Sequence, residues 1–300
     1  MKTIIPGEQP TAELHQLLLG AIGPRPIAWA STMDENGNPN LSPYSFFNVF
    51  SANPPILIFS PARRVRDNSI KHTLQNAEAT KEVVINVVSF DLVEQMSLSS
   101  TEYPQYVNEF EKAGVTPMVS ETVRPFRVKE SPVHFECKVR EIVALGTEGG
   151  AGNLVICEIL RMHINPNILD EKGRINPNKI DLVARMGGDY YTRANGSAIF
   201  EVAKPLRTMG IGVNAIPPRI RNSYVLTGND LGKLGNVERL PSREEIEKMR
   251  THSEVDQIFS EAIDGDELRE RLHELAHGAL EQNLVMDAWA ILLTDKLNQL

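Results

Sequence analysis

Long apolar runs are missing from this 300-residue chain, and nothing in it approaches the roughly 18 consecutive apolar residues that a membrane helix requires. No membrane span is therefore expected. An excess of basic charge is missing too: 31 Lys and Arg stand against 39 Asp and Glu, a formal charge of −8, so the chain as a whole carries no electrostatic footprint for nucleic acid. Cysteine is scarce. Cys137 and Cys157 sit in apolar surroundings with no C-x-x-C spacing, which predicts two buried, reduced thiols and not a disulfide framework. The amino terminus, MKTIIPGEQP, has a proline where a signal peptide keeps its apolar stretch, so a cytoplasmic protein is expected. No internal repeat or low-complexity segment is visible. What is present is a hydrophobic fraction of 41%, enough to fill a sizeable core, and this excludes disorder.

The charge is unevenly placed. Residues 241–300 hold 6 Lys and Arg against 14 Asp and Glu, and the first 240 residues are balanced at 25 against 25. From Ile27 to about Ile168 the pattern is mostly strands: Pro26 to Met33, Leu41 to Phe50, PILIFSP, VVINVVS, HFECKVRE and NLVICEILRMHI. In HFECKVRE, Phe135, Cys137 and Val139 alternate with polar residues, as a half-buried strand requires. Asp34 to Asn38 and Glu148 to Gly152 read as hairpin turns. Helical punctuation is confined to stretches such as Ser69 to Thr80 and Pro104 to Ala113. Strands in series with few helices favour a closed or nearly closed antiparallel barrel. After Pro241 the period changes. Ser242-Arg243-Glu244-Glu245 is a capping box, and apolar residues recur at helical spacing through Val255 to Ile263, Leu268 to Ala279 and Leu284 to Leu297. Two parts are expected, a strand-rich domain over 1–240 and an acidic helical extension over 241–300.

Two familiar signatures are weak in context. Gly210-Ile-Gly212-Val-Asn-Ala215 fits G-x-G-x-x-A, but Pro217 and Pro218 follow at once and no βαβ unit can be drawn around it. His273-Glu274-Leu275-Ala276-His277 fits the zinc-protease pattern H-E-x-x-H. An apolar stripe centred on Leu268, Leu272, Leu275 and Ala279 turns both histidines toward solvent, so no metal site is expected.

The informative stretch is residues 23–61. It supplies a strand, a turn, and a segment dense in small hydroxyl residues (Ser42, Ser45, Ser51) beside aromatics (Tyr44, Phe46, Phe47). Small residues let backbone approach a flat ligand and aromatics wall its faces. Arg63, Arg64 and Arg66 follow, and then Asn68 to Thr73 at a helix start, where free amides, a hydroxyl and cations suit an anion. The residues themselves leave two readings open: a cradle for a planar, phosphate-bearing ligand, and a barrel hairpin followed by a solvated basic loop.

The strings GPRPIAWAST, NLSPYSFFNVFS, PPILIFSP, Lys71-His72-Thr73-Leu74-Gln75-Asn76 and VVINVVS occur in the order and approximate spacing of the flavin reductase-like family, the FMN-binding split barrels related to flavoredoxin. Residues 23 to about 205 resemble that family. Its members commonly have Lys-Asp-Thr where this chain has Lys71-His72-Thr73, and the arginines of RRVRDNS lengthen the preceding loop. The resemblance implies a mainly-β FMN-binding split barrel with peripheral helices, to which the helical extension is added. It implies that Ala30, Ser31, Thr32, Ser45, Phe46, Phe47 and Asn48 border the flavin ring and ribityl chain, that Ser60, Lys71 and Thr73 sit at the phosphate, and that His163 lies near the flavin. Arg185 to Tyr191 also resembles a family element, with a tight glycine turn and tyrosines that are candidates for the pocket. The function implied is an FMN-dependent oxidoreductase of the NAD(P)H:flavin reductase type, a homodimer, with NADH or NADPH as donor and a small-molecule acceptor. Redox chemistry on such a cofactor needs no general base, consistent with the lack of a Ser-His-Asp or paired-carboxylate constellation. The competing expectation is a non-catalytic flavin carrier whose helical tail docks a partner.

Overall fold

Residues 28–59 alternate short β-rich runs with tight turns, and they fold as two hairpins. The first joins β1 (Ala28–Met33) to β2 (Pro39–Tyr44). Its turn is held by the Asp34 carboxylate, which accepts the Asn36 and Asn38 amides, and by Gly37 at φ +91°. The second joins β3 (Phe47–Ala52) to β4 (Pro55–Phe59). With β5 (Glu82–Asn86), β6 (Val133–Ala144) and β7 (Asn153–Ile164) they form one antiparallel sheet in the order β2-β1-β5-β6-β7-β4-β3. The computed structural model describes residues 1–205 and 208–295, and it divides into two compact units, Met1–Phe200 and Glu201–Leu300.

The outermost strands of the sheet, β2 and β3, are consecutive in sequence and separated only by Ser45 and Phe46. Two residues cannot span the width of a flat seven-stranded sheet, so the sheet must curl until its edges stand side by side. Among the described residues those edges do not pair. The barrel is therefore left open along this seam and not closed.

Curling gives the sheet an inside and an outside. Ala28, Ala30, Tyr44, Leu57, Phe59, Val83, Ile85, Cys137, Val139, Val155 and Cys157 face inward, where Leu74 and Ala77 of the helix His72–Thr80 plug the space. Trp29 and Leu41 face outward, under Met96, Phe110 and Val128. This two-sided cover explains why every residue of β1 is buried. Both cysteines are free and buried, and burial raises both thiol pKa values, that of Cys157 to about 12. No helix among the described residues is long and apolar enough to cross a membrane.

The helical unit is larger than the sequence suggests. It begins at Glu201, ahead of the expected 241, because Ile216, Ile220, Leu226 and Leu234 share one core with Ile246, Val255, Leu272, Ala276, Leu280, Trp289 and Leu292. That core is where the apolar stripes of the acidic helices go: they bury one another. Its size also gives the chain as a whole more helix than a mainly-β protein carries.

Both discarded signatures find their explanation here. Gly210 lies against the end of the helix Gly228–Gly235, where a Cβ would come 2.5 Å from the Gly235 carbonyl oxygen, and Gly212 sits at φ +78°. The G-x-G run is thus a close backbone crossing and not a dinucleotide turn. The histidines of the helix Gly265–Glu281 correct the expectation of a solvated face. His273 is buried at 4% exposure with its Nδ1 2.7 Å from the Ser223 Oγ, and His277 Nδ1 lies 2.9 Å from the Asp230 carboxylate. Their partners come from residues 223–230, the part of the unit that lies ahead of the expected boundary. No group of three metal-ligating side chains occurs among the described residues.

Candidate functional site

The helix His72–Thr80 starts inside the curl of the sheet. Lys71 occupies its N-cap position and gives no side-chain cap, so the amides of His72 and Thr73 keep their hydrogens available, while those of Leu74 and Gln75 go to the Lys71 carbonyl. Around that start is a polar recess lined by Asn40, Ser42 and Tyr44 of β2, by Arg64, Lys71, His72 and Thr73, by Ser100 to Tyr103, and by Glu109.

Cross-strand register supplies its floor. Asn40 stands opposite Thr32, and its Nδ2 donates to the Thr32 hydroxyl at 3.3 Å and to the Thr73 hydroxyl at 2.8 Å. Asn76, one turn further along the helix, donates to the same Thr32 oxygen at 3.2 Å. Thr73 therefore accepts, and its own proton is left to give.

The cations differ in how they are engaged. Arg64 holds Glu102 at 2.7 Å and also reaches the Ser69 hydroxyl and the Ile70 carbonyl. Arg66 pairs with Glu102 and Asp67, and Arg63 with Asn68. The inserted arginines thus fold the loop onto itself, and the hydrogen bonds from Arg66 and then Arg64 hold the Glu102 carboxyl below its ordinary pKa. Lys71 makes no ion pair among the described residues. Its Nζ lies 5.7 Å from the Tyr44 ring centroid, and burial, then Arg64, lower its pKa. Burial raises the pKa of Glu109, whose carboxylate accepts the Leu41 amide.

Next to the recess is the corner between the sheet edges. Ser45 accepts a hydrogen bond from Arg25 Nε at 3.4 Å, and the Phe46 carbonyl accepts the Ser60 amide at 2.8 Å. Arg25, 5% exposed, donates also to the carbonyls of Leu19, Ile22 and Met186, and so pins three segments to this corner. Phe46 and Asn48 are exposed, and Phe47 packs against the inner core. The Ser60 hydroxyl accepts the Asn153 amide and abuts Gly152, where a Cβ would come 2.7 Å from it.

Of the residues singled out in the sequence, the structure brings Thr32, Lys71 and Thr73 together at the recess, and Ser45, Phe46, Phe47 and Asn48 with Ser60 at the adjoining corner. Ala30 is buried beneath, paired with Ser42. Ser31 is buried with its hydroxyl unpartnered. The Nε2 of His163 lies 2.8 Å from the buried Glu136 carboxylate, and His163 does not line the recess. Tyr190 is exposed, Tyr191 bonds Arg185 at 2.5 Å, and neither lines the recess. Sequence reasoning missed Asn40, Arg25 and Glu109. A hairpin centred on Asn36 places position 40 opposite position 32, so Asn40 was open to discovery from the turn.

A recess with an unpaired cation, free helix amides and hydroxyls has the chemistry that suits an anion, and the corner beside it offers exposed backbone and an aromatic ring. Fold and site together define a split barrel of the flavin-binding kind. The flavin reductase like domain matches residues 21–181, and the chain belongs to that family of flavin-binding oxidoreductases. An uncharacterized protein of Aquifex aeolicus is 41% identical over 63% of this chain and 94% of its own length. Nitrilotriacetate monooxygenase component B of Bacillus cereus is 30% identical, with a TM-score of 0.63 over 67% of this chain and 98% of that one. The 2-nitrobenzoate 2-nitroreductase of Pseudomonas fluorescens is 26% identical, with a TM-score of 0.60 over 70% of this chain and all of its own. The family match ends before the helical unit begins.

Proposed function

We propose that the protein is an FMN-dependent oxidoreductase of the NAD(P)H:flavin reductase type, taking electrons from NADH or NADPH and passing them to a small acceptor. The observation that carries the reading is the recess at the start of the His72–Thr80 helix, where Lys71, the Thr73 hydroxyl and the amides of His72 and Thr73 are left with hydrogens to give. FMN, when bound, supplies hydride acceptance and onward electron transfer. The chain's own residues bind and orient. Lys71, Thr73 and the helix amides hold the phosphate. Ser45 to Asn48, braced by Arg25, offer backbone and an aromatic wall to the ring, and Thr32 and Asn40 keep Thr73 in place. The exposed apolar side chains Phe46, Val49 and Phe50 fit a homodimer contact, which sedimentation reads directly.

The visible spectrum of the purified protein and anaerobic stopped-flow reduction by NADH and NADPH test this reading. Flavin absorbance that bleaches on a turnover timescale supports it; bound flavin that stays oxidised leaves a carrier. Lys71→Ala should weaken FMN roughly ten- to a hundredfold and riboflavin, which lacks the phosphate, far less. Equal losses for the two would make Lys71 structural.

A further inference from the structure

Tyr44 is 6% exposed, and its hydroxyl has no partner in hydrogen-bonding geometry. A buried phenol without a partner costs stability, and such groups are rare unless something outside the chain completes them. Its ring packs against Phe59, with centroids 5.4 Å apart, and the Lys71 ammonium lies 5.7 Å from its centroid. The hydroxyl is carried into the recess, with the Thr73 and Ser42 hydroxyls as its polar neighbours.

We propose that the Tyr44 hydroxyl donates a hydrogen bond to the ligand's phosphate, making it a third side-chain donor beside Lys71 and Thr73 and a determinant of preference for phosphorylated flavin. The proposal rests on the flavin reading above. Two features point the same way. The helix start has uncapped amides, and the phenol, although the Thr73 and Ser42 hydroxyls come close enough to influence it, meets neither in hydrogen-bonding geometry. The acidic groups lining the recess do not oppose an anion strongly. Glu102 is neutralised by Arg64 and Arg66, and burial favours the uncharged form of Glu109. Burial also keeps the phenol protonated, with a pKa raised to about 12, so it is a donor throughout the working range.

The test is Tyr44→Phe, which keeps the ring and removes only the hydroxyl. Fluorescence titration of the apo full-length protein with FMN and riboflavin should show FMN weakened roughly tenfold or more and riboflavin unchanged. Melting of the apo variant should be no lower than wild type, because an unpaired buried group has been deleted. Equal change for both flavins, no change for either, or an apo variant that melts lower or fails to fold would show that the hydroxyl serves the fold or nothing, and would overturn the proposal. Wild-type protein that binds neither flavin sinks the flavin reading separately. Stabilisation by inorganic phosphate then decides: protection lost in Tyr44→Phe supports the phenol as a phosphate donor, and protection absent or unaltered overturns it.

Discussion

The two units of the chain differ in what surrounds their unmet polar groups. In the helical unit most are consumed in pairs, the His273 Nε2 being an exception. His273 meets Ser223, His277 meets Asp230, the Thr227 N-cap hydroxyl donates to Asp230, and the Trp289 indole donates to the Leu234 carbonyl. The sheet unit leaves Ser31, Arg127 and His134 atoms unmet as well, but only at the start of the His72–Thr80 helix does an unmet phenol stand beside a cation without an ion pair and uncapped amides, among the described residues. A fold that only needs to hold itself together pairs its polar groups, since each unmet one costs about 1–3 kcal/mol. An unmet phenol set beside a free cation and uncapped amides marks where an anionic ligand would complete them. By this measure H-E-x-x-H, the louder motif, is architecture, and the quieter Lys71-His72-Thr73 is the site.

Cutting the chain breaks that comparison most severely. A chain ending at Leu240 keeps Ile216, Ile220 and Leu234 but loses Trp289, Leu272 and the rest of their core, and it should aggregate. A chain ending at Phe200 should stay monodisperse and retain flavin binding. Equal solubility of the two in sedimentation would place the boundary back at 240. Trp289→Ala, fully buried in the helical core, should cost about 3–5 kcal/mol of that unit's stability and leave FMN affinity unaltered. Calorimetry with flavin titration checks both.

Acid separates the units more finely. Burial works to raise the Glu136 pKa, but hydrogen bonds from the Thr122 hydroxyl, the amides of Glu121 and Thr122, and His163 hold it at about 2. A carboxylate depressed on folding contributes stability that is present above its unfolded pKa, about 4.3, and lost as pH falls toward 2. The urea midpoint of the sheet unit should therefore drop in Glu136→Gln at pH 7, with the difference from wild type shrinking by pH 3. His273 behaves differently. Burial, then Arg219, lowers its pKa, so the folded state binds fewer protons and stability is lost as pH falls below about 6.5. His273→Gln should flatten the helical unit's stability between pH 8 and 5.5, a smaller effect than the others, with flavin reduction untouched.

What was legible follows the range of the interactions. Strings that carry their own turn, such as Asp34 to Asn38 between β1 and β2, or the helix start at Lys71, show in the residues because neighbours in sequence make them. Arg25 was unreadable as a hub, since three of its acceptors are backbone carbonyls, which any residue supplies. The pairing of His163 with Glu136 depends on the β6/β7 register, which shifts at Glu136/Cys137 and again at Val139/Glu141. Bulges of that kind leave little trace in a period-two pattern. The helical unit's early start was hidden by the glycines of GNDLGKLG, poor helix formers. The signal that reveals it is Thr227 with Asp230, a capping box on a helix too short for periodicity to show.

The seam at Ser45 and Phe46 also has a kinetic side. To curl round to that seam the sheet must pair β4 with β7, whose partners Ile56 and Glu158 lie about a hundred residues apart. The long helices of the other unit meet near neighbours, Gly265–Glu281 against Val285–Leu293 across a short turn. Loop-closure entropy falls on the sheet before its contacts repay it, so on refolding the helical unit should reach its native state well ahead of the barrel. The recess, which needs β2, the helix at Lys71 and the curled sheet all in place, is then among the last features of the molecule to exist.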